Sequence, residues 1–407
     1  MPTYPTYKFT DIASLIRGVS YDKSVVSTSE REGYIPILRA NNIQKDLVLN
    51  DLVYVPSDFV KEEQMIRKGD IVLAMSSGSK DLVGTSAQAD KDINAAFGTF
   101  CGLIRAKENI DSKFLGLYFQ TQEYRNFVSY QSKGVNICNL KKKDIESLQI
   151  PLPPLPTQRA IVSRIESLFA ELDKAVQHLR TAQQQLKTYR QAVLNHWLNN
   201  DDGKWGKKTA EECVVNENYS LAIGPFGSDL KVEDYTESGV KLVFVRDITS
   251  NFEDKKNKFV SEYKADQLKA HNVFKGDLLI TKMGDPPGQT GIFPYDRGVI
   301  TSDVLRMKTN DKILNKYYAM YYILSSEGGK QIKEMTQGVA QKKISLGRFK
   351  KFLFPIPSIP EQQRIVNEIE SRLSQATATE TCIENAMQQA EALRQSILKK
   401  AFNGELI

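Results

Sequence analysis

The sequence predicts two mixed α/β domains of the α+β kind, each followed by a long helix, with the two helices paired as an antiparallel coiled coil and the whole chain built as a pseudo-two-fold internal repeat. Three observations lead there. First, a heptad seam runs through Ile161, Ile165, Leu168, Leu172, Ala175, Leu179, Ala182, Leu186, Tyr189 and Val193, and steps of four and three keep such a line on one side of a helix. Second, the seam recurs as Ile365, Ile369, Arg372, Ala376, Thr379, Ile383, Ala386, Ala390, Leu393 and Ile397, weakest at Arg372 and Thr379. Third, polar identities repeat at the same offset: Gly134-Val135 with Gly338-Val339, Ile165-Glu166-Ser167 with Ile369-Glu370-Ser371, and Arg190-Gln191 with Arg394-Gln395, where 338 − 134 = 204. Apolar periodicity is common to all helical repeats, but recurring polar residues point to duplication.

Taken in order, residues 1–155 form the first domain. Tyr34 to Arg39 and Asp70 to Ala74 read as strands, and Phe114 to Phe119 with its flanks reads as a helix. Ile150-Pro151-Leu152-Pro153-Pro154-Leu155-Pro156 is an extended lead-in, because proline blocks helix continuation. Residues 156–200 form the first helical spacer, with the helix itself from Thr157 to Leu198 and the turn-forming Asn199 to Gly203 ending it. Residues 201–358 repeat the plan. Leu242 to Arg246 answers Pro36 to Arg39, and Lys275-Gly276-Asp277 answers Lys68-Gly69-Asp70, both at an offset of 207 (246 − 39). Residues 359–407 are the second spacer and tail, with the helix from Glu361 to Ala401. A seam this long must be buried, and the complementary seam lies in the other copy. An antiparallel pairing is expected, with Ile161 near Ile397 and Val193 near Ile365, midpoint alanines allowing close approach, and a domain at each end of a stiff rod.

Composition narrows the functional classes. A hydrophobic content of 41% and a charged content of 26% are ordinary for a globular protein, and 407 residues suffice for several cores. No run of about 18 apolar residues occurs, and Met1 to Asp11 has no signal-peptide pattern, so a cytoplasmic chain with no membrane contact is expected. Cys101, Cys138, Cys213 and Cys382 are scattered and the histidines number 3, which disfavours a metal site, a disulfide framework or histidine-based catalysis. No phosphate-binding G-x-x-x-x-G-K-[ST] loop occurs. A net charge of +6 tilts modestly toward an anionic partner.

The paired arrangement, the Lys-Gly-Asp strand openings, the proline-rich lead-ins and the glutamine-rich helix starts Gln158-Arg159-Ala160-Ile161-Val162 and Glu361-Gln362-Gln363-Arg364-Ile365-Val366 resemble the specificity subunit of type I restriction-modification systems over essentially the whole chain. The first helix start departs from the second in reading Thr157-Gln158-Arg159, so partners need not use both equally. The resemblance implies two target-recognition domains reading a bipartite target in double-stranded DNA, no catalysis and no cofactor in this chain. It also implies assembly with two methyltransferase subunits and, when present, ATP-driven restriction subunits. Physically, two unlike domains on one spacer suit two half-sites at a set separation. The alternative is a coiled-coil adaptor whose end domains bind proteins.

Base edges require bidentate donors and acceptors, and phosphates require cations or small polar groups. On that ground the candidate DNA contacts are Arg39, Asn41 and Asn42 after one strand, and Ser76, Ser77, Ser79 and Lys80 after the next. Arg246 and Lys282 are their counterparts in the second domain, and Lys141, Lys142, Lys342 and Lys343 lie near the domain-to-helix junctions. The competing readings are solvated turns for the loops, internal salt bridges for the arginines and a solvated basic face for the lysines. Asp285-Pro286-Pro287-Gly288 is similar to the amino-methyltransferase motif, but Gly288 stands where the stacking aromatic would be, so a proline-rich turn is expected instead.

Overall fold

A computed structural model of the chain describes residues 4–79, 82–131, 138–199, 204–253, 256–337 and 342–407. Gly134-Val135, Gly338-Val339 and residues 200–203 lie outside them. The chain divides into two compact units, residues 1–179 with 384–407, and residues 180–383.

In the first unit a four-stranded antiparallel sheet runs Ala13–Arg17, Cys101–Ala106, Ile71–Ala74, Ser86–Gln88. A smaller sheet joins Val53–Pro56, Tyr34–Leu38 and Ala96–Phe97. Ile71–Ala74 is buried at every position, which suits an uninterrupted apolar run in a sheet covered on both faces. The second unit repeats the larger sheet as Leu221–Ile223, Val304–Met307, Leu278–Thr281, Thr290–Ile292, and expands the smaller one to five strands.

The Lys-Gly-Asp openings are turns held by the aspartate. Asp70 accepts the Arg67 backbone N–H at 2.7 Å and Asp277 accepts that of Phe274 at 2.9 Å. The intervening Gly69 and Gly276 have φ of +88° and +94°, a region costly for side-chain-bearing residues. In the first unit Arg105 also forks onto Asp70, Nε to Oδ1 at 2.8 Å and Nη2 to Oδ2 at 2.6 Å. Those hydrogen bonds raise the guanidinium pKa above its ordinary value. In the second unit the register position of Arg105 is held by Lys308, which pairs with Glu217 at 2.6 Å. Arg306, two residues before it, donates to the carbonyls of Asn272 and Tyr219, and burial lowers its pKa while burial raises that of Asp277.

The long helices are Leu155–Leu198 and Ile359–Asn403, each beginning two residues earlier than the sequence suggests. Pro156 and Pro360 sit in the first turn, where a missing N–H breaks no helical bond. Before each helix the lead-in forms a strand rather than a free spacer, Gln149–Pro151 on Thr6–Lys8 and Leu353–Pro355 on Lys207–Thr209. Glutamine then clamps helix to domain. Gln158 is 1% exposed; its Oε1 accepts the Asp111 N–H at 2.9 Å and its Nε2 donates to the Pro153 carbonyl at 2.8 Å. Gln362, fully buried, accepts from the Asn315 N–H at 2.7 Å and donates to the carbonyls of Pro357 and Ile313 at 2.9 and 3.0 Å. Asp111 and Asn315 are N-caps of short helices, and 315 − 111 and 362 − 158 both equal 204.

Within each unit the helices pack antiparallel. In the first, Ile161 and Ile165 share a core with Ile397, Leu398, Ala401 and Phe402, and Arg394 meets Asp173 at 2.5 Å while lying 4.1 Å from the Phe169 ring. In the second, Val193, Leu194 and Leu198 share a core with Ile365, Val366 and Ile369, and Arg190 donates to Thr377 and Glu380 at 2.9 Å each. Arg190 and Arg394, recurring at the offset of 204, are thus cross-helix bridges. The seam departs from the sequence reading in places: Ala175, Tyr189 and Leu393 are exposed, and Leu373 packs inward where Arg372 was read. Among the described residues no helix is long and apolar enough to cross a membrane.

Candidate nucleic-acid interface

A groove of about 530 Å³ opens in the first unit where the loop after Ala13–Arg17 meets the turn before Cys101–Ala106. The antiparallel pair Ser76–Ser77 and Cys138–Asn139 brings Ser76 opposite Asn139, and the chain then turns into the helix Lys142–Glu146, so three distant segments converge. Arg17, Lys141 and Lys142 supply cations, and Ser20, Ser76, Thr99 and Asn139 supply neutral hydrogen-bonding groups. Phe100, 66% exposed, adds an aromatic face. None of the described residues lining it is acidic. A groove of that make-up favours a polyanion with polar edges.

Of the candidates read from sequence, Ser76, Lys141 and Lys142 come together here. Lys142 also faces Glu146 at 3.4 Å, an exposed pair of little strength. Ser77 holds the adjoining turn by accepting the Ser79 N–H at 3.1 Å, and Lys80 lies outside the described residues. Arg17, Ser20, Thr99, Phe100 and Asn139 were missed, because no local spacing unites residues that only sheet topology makes neighbours.

The Arg39 loop stands apart from the groove lining. Arg39 donates to the Asp51 carbonyl at 2.8 Å and its carboxylate at 3.1 Å, and exposed Asn41 reaches the same carboxylate at 3.5 Å. Asn42 is 1% exposed: its Oδ1 accepts the Arg39 N–H at 2.9 Å, and its Nδ2 donates to the carbonyls of Val48 and Asn50. Asn42 therefore shapes the loop and offers nothing to a ligand. The strand read as Leu242 to Arg246 ends at Val243, and Val245–Thr249 is helical. The cause is Asp247, whose carboxylate accepts the Phe244 N–H at 2.8 Å, as Asn42 does for Arg39. In the parallel pairings Leu38 meets Phe97 and Val243 meets Ile300. The fold thus registers Leu38 with Val243, an offset of 243 − 38 = 205, so Arg39 corresponds to Phe244 and Arg246 to Asn41. Equivalence of Arg39 and Arg246 at a 207 offset is not what the fold shows. Arg246 lies 4.2 Å from the Phe244 ring and donates to the Lys256 carbonyl at 3.0 Å.

In the second unit Lys282 donates to the Ser302 carbonyl at 3.0 Å and sits 5.4 Å from the ring centre of Phe226, which is 62% exposed. Burial lowers the Lys282 pKa, partly opposed by Asp303. Lys342 is paired with Asp285 at 2.8 Å, which offsets its charge, whereas Lys343 is exposed and bridges to Met283. The Asp285-Pro286-Pro287-Gly288 segment is a turn: the Gly288 N–H donates to the carbonyl and hydroxyl of Thr281, and a Cβ on Gly288 would lie 2.8 Å from Ile332.

The family profile described as the type I restriction modification DNA specificity domain matches residues 1–179 and 228–389. The chain belongs to that family. It is 31% identical to the type I restriction enzyme EcoKI specificity subunit of Escherichia coli (strain K12), over 97% of this chain and 87% of that protein. It is 29% identical to the StySPI specificity subunit of Salmonella potsdam, over 99% and 89%. In fold it resembles a chain from work on complex assembly and conformational transition of the type I R-M system, with a TM-score of 0.76 at 19% identity over 100% of this chain and 99% of that one. The HsdS subunit from Thermoanaerobacter tengcongensis matches at 0.55 and 19%, over 100% and 98%. Family membership makes this chain the DNA-recognition subunit of a type I restriction-modification system, with methyl transfer and restriction residing in other subunits.

Proposed function

We propose that residues 1–155 and 201–358 each read one half of a two-part duplex target, while the helical segments 156–200 and 359–407 carry two methyltransferase subunits and, when present, restriction subunits. The observation that carries this reading is the cationic groove with Arg17, Lys141 and Lys142 and no carboxylate among the described residues of its lining. Its cations suit phosphates, which position a protein on DNA, and Ser76, Asn139 and Thr99 suit base edges, which specify. Ser79, Lys282 and Lys343 belong to the same reading, as do Arg39, Asn41 and Arg246 as secondary contacts, whereas Asn42 is buried and spends its amide on its own loop. The chain needs no cofactor for this role and acts in the cytoplasm, where its DNA is.

Exchanging residues 1–155 for the corresponding domain of another family member is expected to change one half of the methylated sequence and leave the other as it was. Methylated positions mapped across the genome check this, and a change in both halves, or in neither, overturns independent reading. Arg39→Ala is expected to weaken specific binding by about 1–3 kcal/mol. Unchanged affinity in a titration would assign Arg39 to bracing its own loop through Asp51.

A further inference from the structure

We infer that Phe100 and Phe226 are specificity-determining residues, each placing its ring against the bases of a different half of the target; the inference rests on the DNA reading above.

A lone exposed phenylalanine is unremarkable on a protein surface. These two are set apart by where the fold puts them. In the first unit the Cys101 N–H donates to Gly98 and the Met75 N–H to Phe100; in the second the Val304 N–H donates to Thr301 and the Lys282 N–H to Asp303. The turn Gly98-Thr99-Phe100 therefore corresponds to Thr301-Ser302-Asp303, and Met75 to Lys282. Gly18 and Gly224 also correspond, since a Cβ on either would strike the backbone carbonyls of Gly98 or Thr301. Two residues on from those glycines stand Ser20 and Phe226. The same corner of each unit thus holds three positions that differ between the two copies: Ser20, Met75 and Phe100 in one, Phe226, Lys282 and Asp303 in the other.

One exposed ring occupies that corner in each case, yet it comes from different loops. Phe100 is delivered by the turn before a central strand, and Phe226 by the loop after an edge strand. Around Phe100 lie Arg17, Lys141 and Lys142 and the polar groups of the groove. Phe226 is steadied by Lys282, itself tied to the Ser302 carbonyl. A ring beside a cation matches duplex DNA at two points, the cation at a phosphate and the ring at a thymine methyl or an opened base step. A corner with exchanged side chains on a common backbone is what reading two unlike half-sites requires.

The test uses the full chain assembled with its methyltransferase subunits, and duplexes carrying the target mapped from methylated positions. Phe226→Ala is expected to lower affinity for the target about tenfold, to change affinity for an unrelated duplex less than twofold, and to relax discrimination in one half only. Phe100→Ala is expected to do the same for the other half, with Phe→Tyr at either position restoring most of the loss. Wild-type affinity and discrimination in both alanine variants would overturn the inference. So would equal losses on target and unrelated duplex, the mark of a general surface or folding defect, with thermal unfolding measured alongside. If the unaltered complex fails to distinguish its target from unrelated duplex, the DNA reading itself falls, a result separable from the failure of the rings.

Discussion

Replacing Asp70 by alanine is expected to reduce the unfolding free energy by about 3–5 kcal/mol, because it removes the carboxylate counter-charge of a largely buried guanidinium and leaves it the Glu63 and Met65 carbonyls alone. The Asp70 side chain is 3% exposed and that of Arg105 22%, and the fork between them is bidentate. The same change also removes the acceptor for the Arg67 N–H. Asp277→Ala in the second copy supplies the control. Lys308, at the register position of Arg105, pairs with Glu217 rather than with Asp277, so the loss there is expected to be nearer about 1–3 kcal/mol, that of one orphaned backbone donor. Urea unfolding of both variants measures the contrast. Equal losses would mean that the fork adds little to the turn.

Gln158→Ala and Gln362→Ala are each expected to cost about 2–4 kcal/mol, since every amide hydrogen bond lost leaves a buried backbone group without its partner. Gln158 serves two such groups and Gln362 three. Gln158→Glu sharpens the test: it keeps an acceptor for the Asp111 N–H but places a carboxylate oxygen against the Pro153 carbonyl, and is expected to be at least as damaging as alanine at neutral pH. Unfolding measured at two pH values checks this, because protonating the glutamate should recover part of the loss. A glutamate variant as stable as the wild type would show that the amide donor contributes nothing.

Much of the fold was legible because duplication leaves its mark on polar residues. Gln158, Arg190 and Gln191 repeat at one offset, and each repeat makes the same kind of contact: Gln191 reaches the Leu324 carbonyl and Gln395 that of Gln120, again 204 apart. The helices were legible from their seam, although Leu393 and Tyr189 lie outside the packed line. What stayed hidden depends on partners far along the chain. Lys-Gly-Asp announces a strand, but nothing local reveals that Arg105, 35 residues on, completes it. The candidate site was harder still. Loop lengths differ between the copies, so aligning Arg39 with Arg246 by strand ends slipped by two positions relative to the backbone register. The groove joins Arg17, Phe100 and Asn139, which no spacing rule would collect. Phe226, flanked by Gly224 and Gly227, was the one missed residue with a local cue.

The paired glutamine clamps have a consequence for how such chains can be remade. Each clamp asks its domain only for main-chain groups, the N–H of a helix N-cap residue and a prolyl carbonyl, with the Ile313 carbonyl added at Gln362, and none depends on the side chains that face a ligand. The coupling is therefore a standard socket. A foreign head cut just ahead of Gln158 or Gln362 can be plugged in without redesigning the joint, so new pairings of heads can arise by crossover at this short repeated segment.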